Sequence, residues 1–372
     1  MPTPNTFRTI FSQCNIFVSP PGQSGSSATG QFFNSGNSGV NFVGELSRVQ
    51  SADLSIGLNR TDVNQFGILS RIDSEIITSP TFTLNFSYFP TDGMNEKILG
   101  FNDKGNASFI SGLLSKTSDS KNYFVSFAPA GYDDDGYTPY TARDVAAIGN
   151  GFISNYSINA AVNQPVRADV SIEGLNVQFF TGASGASPAV DPLTSNPITA
   201  WNWQLPVGTP YTGSNTISII KPGDIVLNIP NGASFGSVAS GSYGAQIQSF
   251  TLSVPVSREK ILRLGSPFSV SEEINFPVNC TLSVQGLQTN LQPASAPNLI
   301  CADNPYNLQI LMRQPSCAGT GLTAMVWGFN NAFLTSQRIG QTVGGDGVVS
   351  WDFSAQLSGP TSLDGITLSG YC

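Results

Sequence analysis

The sequence predicts a mainly β protein in which one domain occurs twice. Apolar and polar residues alternate along many short stretches, which is the period of half-buried strands. Residues 49–60 also recur at 247–258, with five identical positions at an offset of 198 residues and aliphatic exchanges at three others. Similarity at a fixed offset indicates a repeated structural unit.

The match continues beyond this stretch. Gly67 aligns with Gly265 at the same offset, whereas Ser74 and Glu75 match the dipeptide at 271–272 only after a slip of one residue. A chain of 372 residues allows two or three domains, and the offset of 198 favours two. The sequence therefore predicts an N-terminal arm (1–48), a first copy (49–180), a linker with a short β unit (181–246) and a second copy (247–372).

The N-terminal arm contains a β-prone piece at 14–18 and a stretch rich in Gly, Ser and Asn at 20–39. Such a stretch cannot form a core of its own. It is either a floppy terminus or an arm that becomes ordered only on a neighbouring subunit.

The first copy is predicted to be strands around one helix. A connection of about 20 residues joins its first two strands, which is too long for a tight hairpin and indicates a functional loop or contact arm. Apolar spacing predicts a helix over 94–116, interrupted near Gly100 and Gly105. The predicted strands lie at 49–60, with apolar residues at 54, 56 and 58, and at 80–89, 123–127, 152–162 and 166–180.

The second copy repeats this order. Residues 181–215, with Trp201 and Trp203, are interpreted as a linker, and 217–229 as a short hairpin-like unit. Phe333 matches Phe152 at a smaller offset of 181, so the middle of the second copy is shorter and shows no comparable helical pattern. Its predicted strands lie at 247–258, 278–286, 308–312, 333–343 and 348–357, the last two joined by a glycine-rich turn.

The composition indicates self-association. Only 11% of the residues are charged, and 24 acidic residues against 16 basic ones give a net charge of −8. A polar but weakly charged surface suits extended structure and large contact areas. The acidic balance also argues against the phosphate-neutralising surface of a tight nucleic-acid-binding protein.

Apolar runs are too short for a membrane helix, and the N-terminus lacks the pattern of a signal peptide. We therefore expect no membrane insertion and a chain that is made and kept in a cytoplasm. The cysteines are scattered, without a C-x-x-C pair or a histidine to complete a zinc site. We expect mostly buried thiols, with Cys372 the most exposed; the others are Cys14, Cys280, Cys301 and Cys317.

The absence of histidine from the sequence removes the commonest general base and metal ligand. Residues 232–236 fit a nucleophile elbow around Ser234, but that chemistry needs a histidine to take the serine proton. Residues 319–321 form a fragment of a dinucleotide fingerprint that follows a loop instead of a strand.

Carboxylates offer no better site. Glu272 and Glu273 would point to opposite faces of a strand, so they cannot form a glycosidase pair. Residues 133–135 are three aspartates without the spacing of a calcium loop, and a solvated turn is the better interpretation. We therefore predict that the protein is not an enzyme and has no catalytic, cofactor-binding or metal-binding residues.

The order of elements resembles the tube fold of bacteriophage tail-tube proteins, a β-sandwich flanked by a helix. The resemblance rests on 49–56 and on 152–162 through 170–174, with their partners in the second copy. It implies rings of subunits that stack, with strands from every domain joining an inner barrel through which DNA travels. Most such proteins carry one domain, so three of these doubled chains would supply a pseudo-sixfold ring.

This resemblance implies a virion tail tube subunit that is assembled in the host cytoplasm. Its partners would be itself, other tail proteins and double-stranded DNA in transit. The connection at 60–80 and the N-terminal arm would reach adjacent subunits or rings. The residues expected to act in assembly are Gln50, Ser51, Leu54, Arg60, Gln248, Ser249, Leu252 and Arg258.

Two alternatives remain open at the level of sequence. The chain could form a ring in a tail tip or baseplate hub that uses the same fold without polymerising. It could instead be a carbohydrate-binding virion adhesin, with Trp201 and Trp203 in polar loops as candidate contacts.

Overall fold

The structure is a computed structural model that describes residues 14–19, 44–114, 119–128, 134, 143–191, 194, 196–197, 202–205, 219–228, 246–266, 268–287, 305–314, 322–341, 347–357 and 362–370. The predicted glycine-rich stretch at 20–39 lies outside these residues. So do Trp201, Ser234, the segment at 319–321 and the turn at 344–346.

The described chain is dominated by antiparallel strands, as the alternating pattern predicts. The strands are β1 (Cys14–Ser19), β2 (Gly44–Glu45), β3 (Val49–Gly57), β4 (Arg60–Val63), β5 (Asp73–Ile76), β6 (Thr81–Tyr88), β7 (Lys121–Phe127), β8 (Asp144–Ala161), β9 (Arg167–Gly174), β10 (Asn176–Thr181), β11 (Ser184–Ala186), β12 (Asn202–Gln204), β13 (Ile225–Asn228), β14 (Gln246–Pro255), β15 (Arg258–Ile261), β16 (Ser271–Ile274), β17 (Val278–Leu287), β18 (Tyr306–Arg313), β19 (Thr323–Gly340), β20 (Val348–Leu357) and β21 (Gly365–Gly370).

The helical insert is short and interrupted, as predicted. Helix α1 (Met94–Leu99) ends at Gly100, whose φ of 96° is left-handed and whose amide donates to Lys97 O at 3.0 Å. A 3₁₀ helix (Phe109–Leu114) follows, and a second one covers Pro222–Asp224. The predicted class, mainly β with a short helical insert, is confirmed.

One antiparallel sheet of eight strands runs through the molecule in the order β3-β6-β9-β8-β14-β17-β20-β19. We call it the central sheet. Two smaller sheets flank it, in the orders β10-β8-β7-β1-β2 and β13-β18-β19-β21. The long strands β8 and β19 belong to both the central sheet and a flanking sheet, and each changes sheet near a bulge.

The strand pairing repeats along the chain. The bulge between Val49 and Ser51 in the β3–β6 pair recurs between Ile247 and Ser249 in the β14–β17 pair, at the offset of 198. The bulges in β8 and β19 recur at the offset of 181. Both offsets read from the sequence therefore coincide with equivalent positions in the sheet.

The predicted one-residue slip near Ser74 is wrong. Arg60 pairs with Ile76 and Arg258 with Ile274, so the hairpins β4–β5 and β15–β16 keep the offset of 198 throughout. The dipeptide match at 271–272 was a coincidence of composition.

Two strands outside the predicted copies pair with them. Strand β1, from the predicted N-terminal arm, lies beside β7, and β13, from the predicted linker, lies beside β18. The two pairings are equivalent in the two halves of the chain. Among the described residues of 217–229, the predicted hairpin-like unit is therefore wrong, because its strand pairs with one some 80 positions further along the chain.

The core lies between the central sheet and the flanking sheets. Leu84 and Ile172 of the central sheet face Ile16 and Ile148 of the first flanking sheet, all at most 1% exposed. Phe109 of the helical insert belongs to the same core, and its ring centre lies 4.9 Å from that of Trp327 in the second half of the chain. No helix among the described residues is long and apolar enough to cross a membrane.

Candidate assembly interface

The two repeated halves meet at a strand pair inside the chain, which we call the internal junction. Residues 249–255 of β14 pair antiparallel with 155–161 of β8. The amide of Val256 extends the ladder by donating to Ser154 O at 2.9 Å. On the core face, Leu252 lies opposite Ile158 and both are buried. On the other face, Thr251 Oγ1 donates to Asn159 Oδ1 at 2.9 Å.

A hairpin reinforces this junction. We call β15, β16 and their connection the second arm. Its Arg258 forms two hydrogen bonds with the Asp119 carboxylate, at 2.7 and 2.8 Å, and donates to Ile153 O at 3.3 Å. The Arg258 guanidinium also lies 4.9 Å from the centre of the Phe152 ring. The second arm therefore packs on the first half of the chain through a nearly buried ion pair.

The equivalent first arm, β4 and β5 with their connection, lies in the open. This is the long connection that the sequence predicts to be a contact arm. Among the described residues, the Arg60 guanidinium donates to the backbone of its own hairpin alone, at Ser74 O, 3.1 Å away. Phe66 and Leu69 at its tip are fully exposed. Leu264 at the tip of the second arm is fully exposed as well. Exposed apolar side chains of this kind are typical of interaction surfaces.

Strand β3 is an open edge of the central sheet. Among the described residues it pairs with β6 alone. Ile56 is 47% exposed, whereas Val254, at the equivalent position of β14, is 0% exposed. Leu58 is 52% exposed where Val256 is 1% exposed. The same apolar pattern is therefore covered in one half of the chain and uncovered in the other.

The end of β19 is the complementary open edge. In the part of the chain that the structure describes, residues 333–340 pair with β20 alone, whereas the equivalent end of β8 lies between β9 and β14. Ile339 is 50% exposed where Ile158 is 0% exposed. The central sheet thus begins and ends on two edges that match the two sides of its own internal junction.

The predicted assembly residues of the second copy lie at the internal junction. Gln248 O accepts a hydrogen bond from the Val162 amide at 2.9 Å, and Ser249 Oγ donates to Gln285 at 3.2 Å. Leu252 is buried against β8, and Arg258 anchors the second arm.

The predicted assembly residues of the first copy lie at the open edge. Gln50 Nε2 donates to Arg48 O at 3.1 Å, and Ser51 Oγ lies 2.6 Å from the Ser87 hydroxyl. Leu54 is half-buried, and Arg60 is exposed. The structure therefore separates the eight residues into a set inside a junction and a set at an edge that has no second strand partner in the described part of the chain.

Sequence reasoning missed the opposite side of each edge. Asp119, Phe152 and Ile158 receive β14 and the second arm, and Phe333 and Ile339 are the equivalents on β19. The offset of 181 already related Phe152 to Phe333 and Ile158 to Ile339, but no local pattern indicated which strand they would contact, and nothing in the sequence pointed to Asp119.

The face of the central sheet away from the core is polar. Its side chains are mostly hydroxyls and amides with a few charges: Ser51, Asp53, Ser55, Thr83, Asn85, Arg167, Asp169, Ser171, Asn159, Ser157, Thr251, Ser253, Thr281, Ser283, Ser350, Asp352 and Arg338. The charges present are partly neutralised, as in the 2.9 Å pair between Arg167 and Asp169. Such a face offers no dense cationic surface to a polyanion.

A cavity of about 300 Å³ opens beside β3. Its apolar lining includes Ile16, Val49, Leu54, Leu84 and Val125. It lies where the half-buried side of β3 meets the core. An added strand along β3 would therefore also cover apolar surface at this end of the sandwich.

The residues considered for chemistry are placed as follows. Glu272 is buried and accepts from Ser269 Oγ at 2.9 Å, while Glu273 on the same strand is exposed, so the two carboxylates diverge as predicted. Cys280 is a buried thiol whose pKa is raised to about 12 by burial, but Cys14 is exposed. The described residues contain no cluster of metal-ligating side chains. Cys301, Cys317 and Cys372 lie outside the described residues.

Trp203 is fully buried among Phe17, Phe124 and Phe180. Its ring centre lies 4.9 Å from that of Phe124. A buried indole cannot stack on a sugar, so this candidate contact of the adhesin interpretation is wrong.

No protein-family model matches the chain, and no curated protein matches it either. Among solved structures, the chain is similar to a type VI secretion system effector from Yersinia pestis, at 10% identity and a TM-score of 0.20. It is also similar to an Hcp protein, at 11% identity and a TM-score of 0.22. Each match covers 40% of this chain and 98% of the other. Similarity at this level assigns no function. The two open edges of the central sheet are therefore the better basis for a functional proposal.

Proposed function

We propose that the protein is a structural subunit that joins copies of itself edge to edge into rings, and that the stacked rings form the tail tube of a long-tailed bacteriophage. One observation carries the proposal: the central sheet contains one complete junction between its halves, and the two edges that would form a second one have no strand partner among the described residues. Identical contacts repeated head to tail generate a ring when the rotation closes.

The proposed ring contains three chains. Each chain contributes the eight strands of its central sheet, so three chains form a barrel of 24 strands without a free edge. Closing the barrel removes the long exposed edges, which are otherwise a liability for any sheet protein. The resemblance to the sixfold rings of tail tubes supports this number, because three doubled chains supply six repeats.

The polar face of the central sheet supports a role as a conduit. If the core and the flanking sheets lie outside, this face lines the channel with hydroxyls, amides and balanced charges. Double-stranded DNA would pass such a wall without being held by it, because holding it requires phosphate-neutralising Lys and Arg. The net charge of −8 also disfavours binding of the DNA phosphates. On this proposal the protein is not an enzyme, and it is assembled in the host cytoplasm before it becomes part of the virion.

Negative-stain microscopy and sedimentation velocity on concentrated pure protein test the proposal. We expect rings of three chains and, at higher concentration, tubes of stacked rings. Rings that never stack would support a tail-tip or baseplate hub ring instead. A protein that stays monomeric at all concentrations and binds glycans on an array would overturn the proposal in favour of an adhesin.

A further inference from the structure

We infer that copies of this chain join by antiparallel pairing of β3 with residues 336–340 of the next copy, in the register of the internal junction, and that Asp53 and Arg338 form an ion pair across this contact. The inference rests on the proposed self-assembly and specifies its interface. The occupant of each open edge is thus a second copy of this chain.

The register follows from the two offsets. At the internal junction Leu252 is opposite Ile158. The offset of 198 makes Leu54 the equivalent of Leu252, and the offset of 181 makes Ile339 the equivalent of Ile158. The same register between two copies therefore places Leu54 opposite Ile339. Both offsets are fixed in the structure by the repeated bulges, so no freedom of one residue remains. A shift of one residue would also place Arg338 or Gly340 opposite Leu54 and turn Ile339 of the neighbouring copy to the polar face.

In this register, the exposed apolar residues of the two edges occupy positions that are buried in the internal junction. Ile56, Leu58 and Ile339 are each about half exposed, and their equivalents Val254, Val256 and Ile158 are at most 1% exposed in the internal junction. The second copy would therefore cover the same positions that the chain already covers once. This pattern favours a second copy over an unrelated partner, because the chain itself contains the complementary surface.

The first arm is expected to contact the neighbouring copy as the second arm contacts the first half of its own chain. Arg60 is the equivalent of Arg258, and Phe333 is the equivalent of Phe152. In the internal junction the arginine lies over the phenylalanine ring. Arg60 would therefore lie over Phe333 of the neighbouring copy, whose ring is 49% exposed in the single chain.

Charge distinguishes this contact from the internal one. In the inferred register Asp53 is opposite Gly340, and Arg338 is the next residue on the same face. Among the described residues, neither the Asp53 nor the Arg338 side chain forms an ion pair or a hydrogen bond. Diagonal neighbours on one face of a sheet lie about 7–8 Å apart, within the reach of an arginine side chain. No side chain at Gly340 stands between them.

The internal junction is neutral at the same two places. Thr251 takes the position of Asp53, and Ser157 takes the position of Arg338. An ion pair confined to the contact between chains would steer the open edges towards each other and disfavour pairing of one edge with its own kind.

Charge reversal tests the inference. Asp53→Arg and Arg338→Asp each place like charges across the contact, and the double variant restores opposite charges in exchanged positions. We expect each single variant to raise the concentration at which half of the protein is assembled by about tenfold, and the double variant to return it to within about twofold of the wild type. The measurement is sedimentation velocity in 50 mM NaCl, with circular dichroism of dilute monomers to verify folding.

Lys104→Glu, an exposed charge change away from both edges, is the control and should assemble like the wild type. In 1 M NaCl the single variants should approach the wild type, because the Debye length falls to about 3 Å. A wild type that assembles together with single variants that assemble equally well would overturn the inferred contact and leave the proposed function standing. A wild type that never assembles would overturn both.

Discussion

Glu96 ties the helical insert to the central sheet. It is fully buried, and its Oε1 accepts hydrogen bonds from the hydroxyls of Tyr88 and Tyr156 at 2.7 and 2.8 Å. Burial raises the pKa of Glu96 above its ordinary value of 4.5, the two tyrosine hydrogen bonds oppose this, and nearby Asp92 adds to it. The folded protein therefore holds this proton to a higher pH than the unfolded chain does.

Glu96→Gln should remove a pH dependence of stability. Because the folded-state pKa is raised, the wild type is stabilised by this group below about pH 4.5 and loses that contribution as the pH rises through the folded pKa. In urea unfolding of dilute monomer, the free energy of unfolding of the glutamine variant relative to that of the wild type should be higher at pH 8 than at pH 5. Glu75→Gln, on the exposed first arm, is the matched control. An unchanged difference between the two pH values would contradict a raised pKa.

Arg258 and Arg60 are equivalent residues with different expected effects. Arg258→Ala leaves the Asp119 carboxylate without its bidentate partner and should cost about 3 kcal/mol of monomer stability. Arg60→Ala should leave monomer stability within about 0.5 kcal/mol, because its side chain is exposed. It should weaken assembly instead.

Urea unfolding and sedimentation velocity on both alanine variants check this pair. An Arg60 variant that assembles normally would show that the first arm does not repeat the docking of the second.

At the scale of elements, β3 and β14 are the same strand in two settings. The amide of Val256 donates across the internal junction, and residues two apart along a strand share that direction. The amide of Val254 therefore also faces β8, and the equivalent amide of Ile56 faces the open edge. Proline is tolerated on an edge strand only where its missing N–H would point to solvent.

Ile56→Pro should block assembly while the monomer still folds. Val254→Pro is the matched variant and should lower monomer stability by at least about 1–3 kcal/mol, because it removes a ladder hydrogen bond inside the chain. Thermal unfolding and sedimentation of the two variants would separate these effects. Normal assembly of the Ile56 variant would exclude β3 as a paired edge.

At the scale of the whole molecule, the sequence predicted more about repetition than about pairing. The alternation of Leu54, Ile56 and Leu58 with polar residues predicts a strand whether its apolar side is covered by its own chain or by another. The repetition of the strands, the interrupted helix at 94–116 and the long connection after the first strand were therefore predictable from local pattern and offset, whereas the hairpin within that connection was not.

The pairing of strands that are distant in sequence was not predictable. Strand β8 changes sheets at a bulge, and β13 pairs with β18 far along the chain. Such pairings depend on connectivity and on how the layers pack. For the same reason the offset of 198 could not reveal that one copy of the repeated strand is covered and the other is open.

Disulfide trapping of the open edges tests the central claim most directly. Ser55 and Arg338 are directly opposite in the inferred register, as Ser253 and Ser157 are within the chain. They occupy the closer, non-hydrogen-bonded type of pair, with Cα atoms about 4.5 Å apart, which suits a disulfide. Ser55→Cys with Arg338→Cys would be made after replacing Cys14, Cys301, Cys317 and Cys372 by serine. Ser253→Cys with Ser157→Cys, which should cross-link within each monomer, is the positive control.

Mild oxidation of the assembled Ser55→Cys, Arg338→Cys protein and a non-reducing gel give the result. The account predicts covalent species that build up to three chains and stop there, and no cross-link when Ile339→Cys replaces Arg338→Cys, because that side chain faces the opposite side of the sheet. Assembled particles whose engineered thiols stay free would contradict pairing of the two open edges.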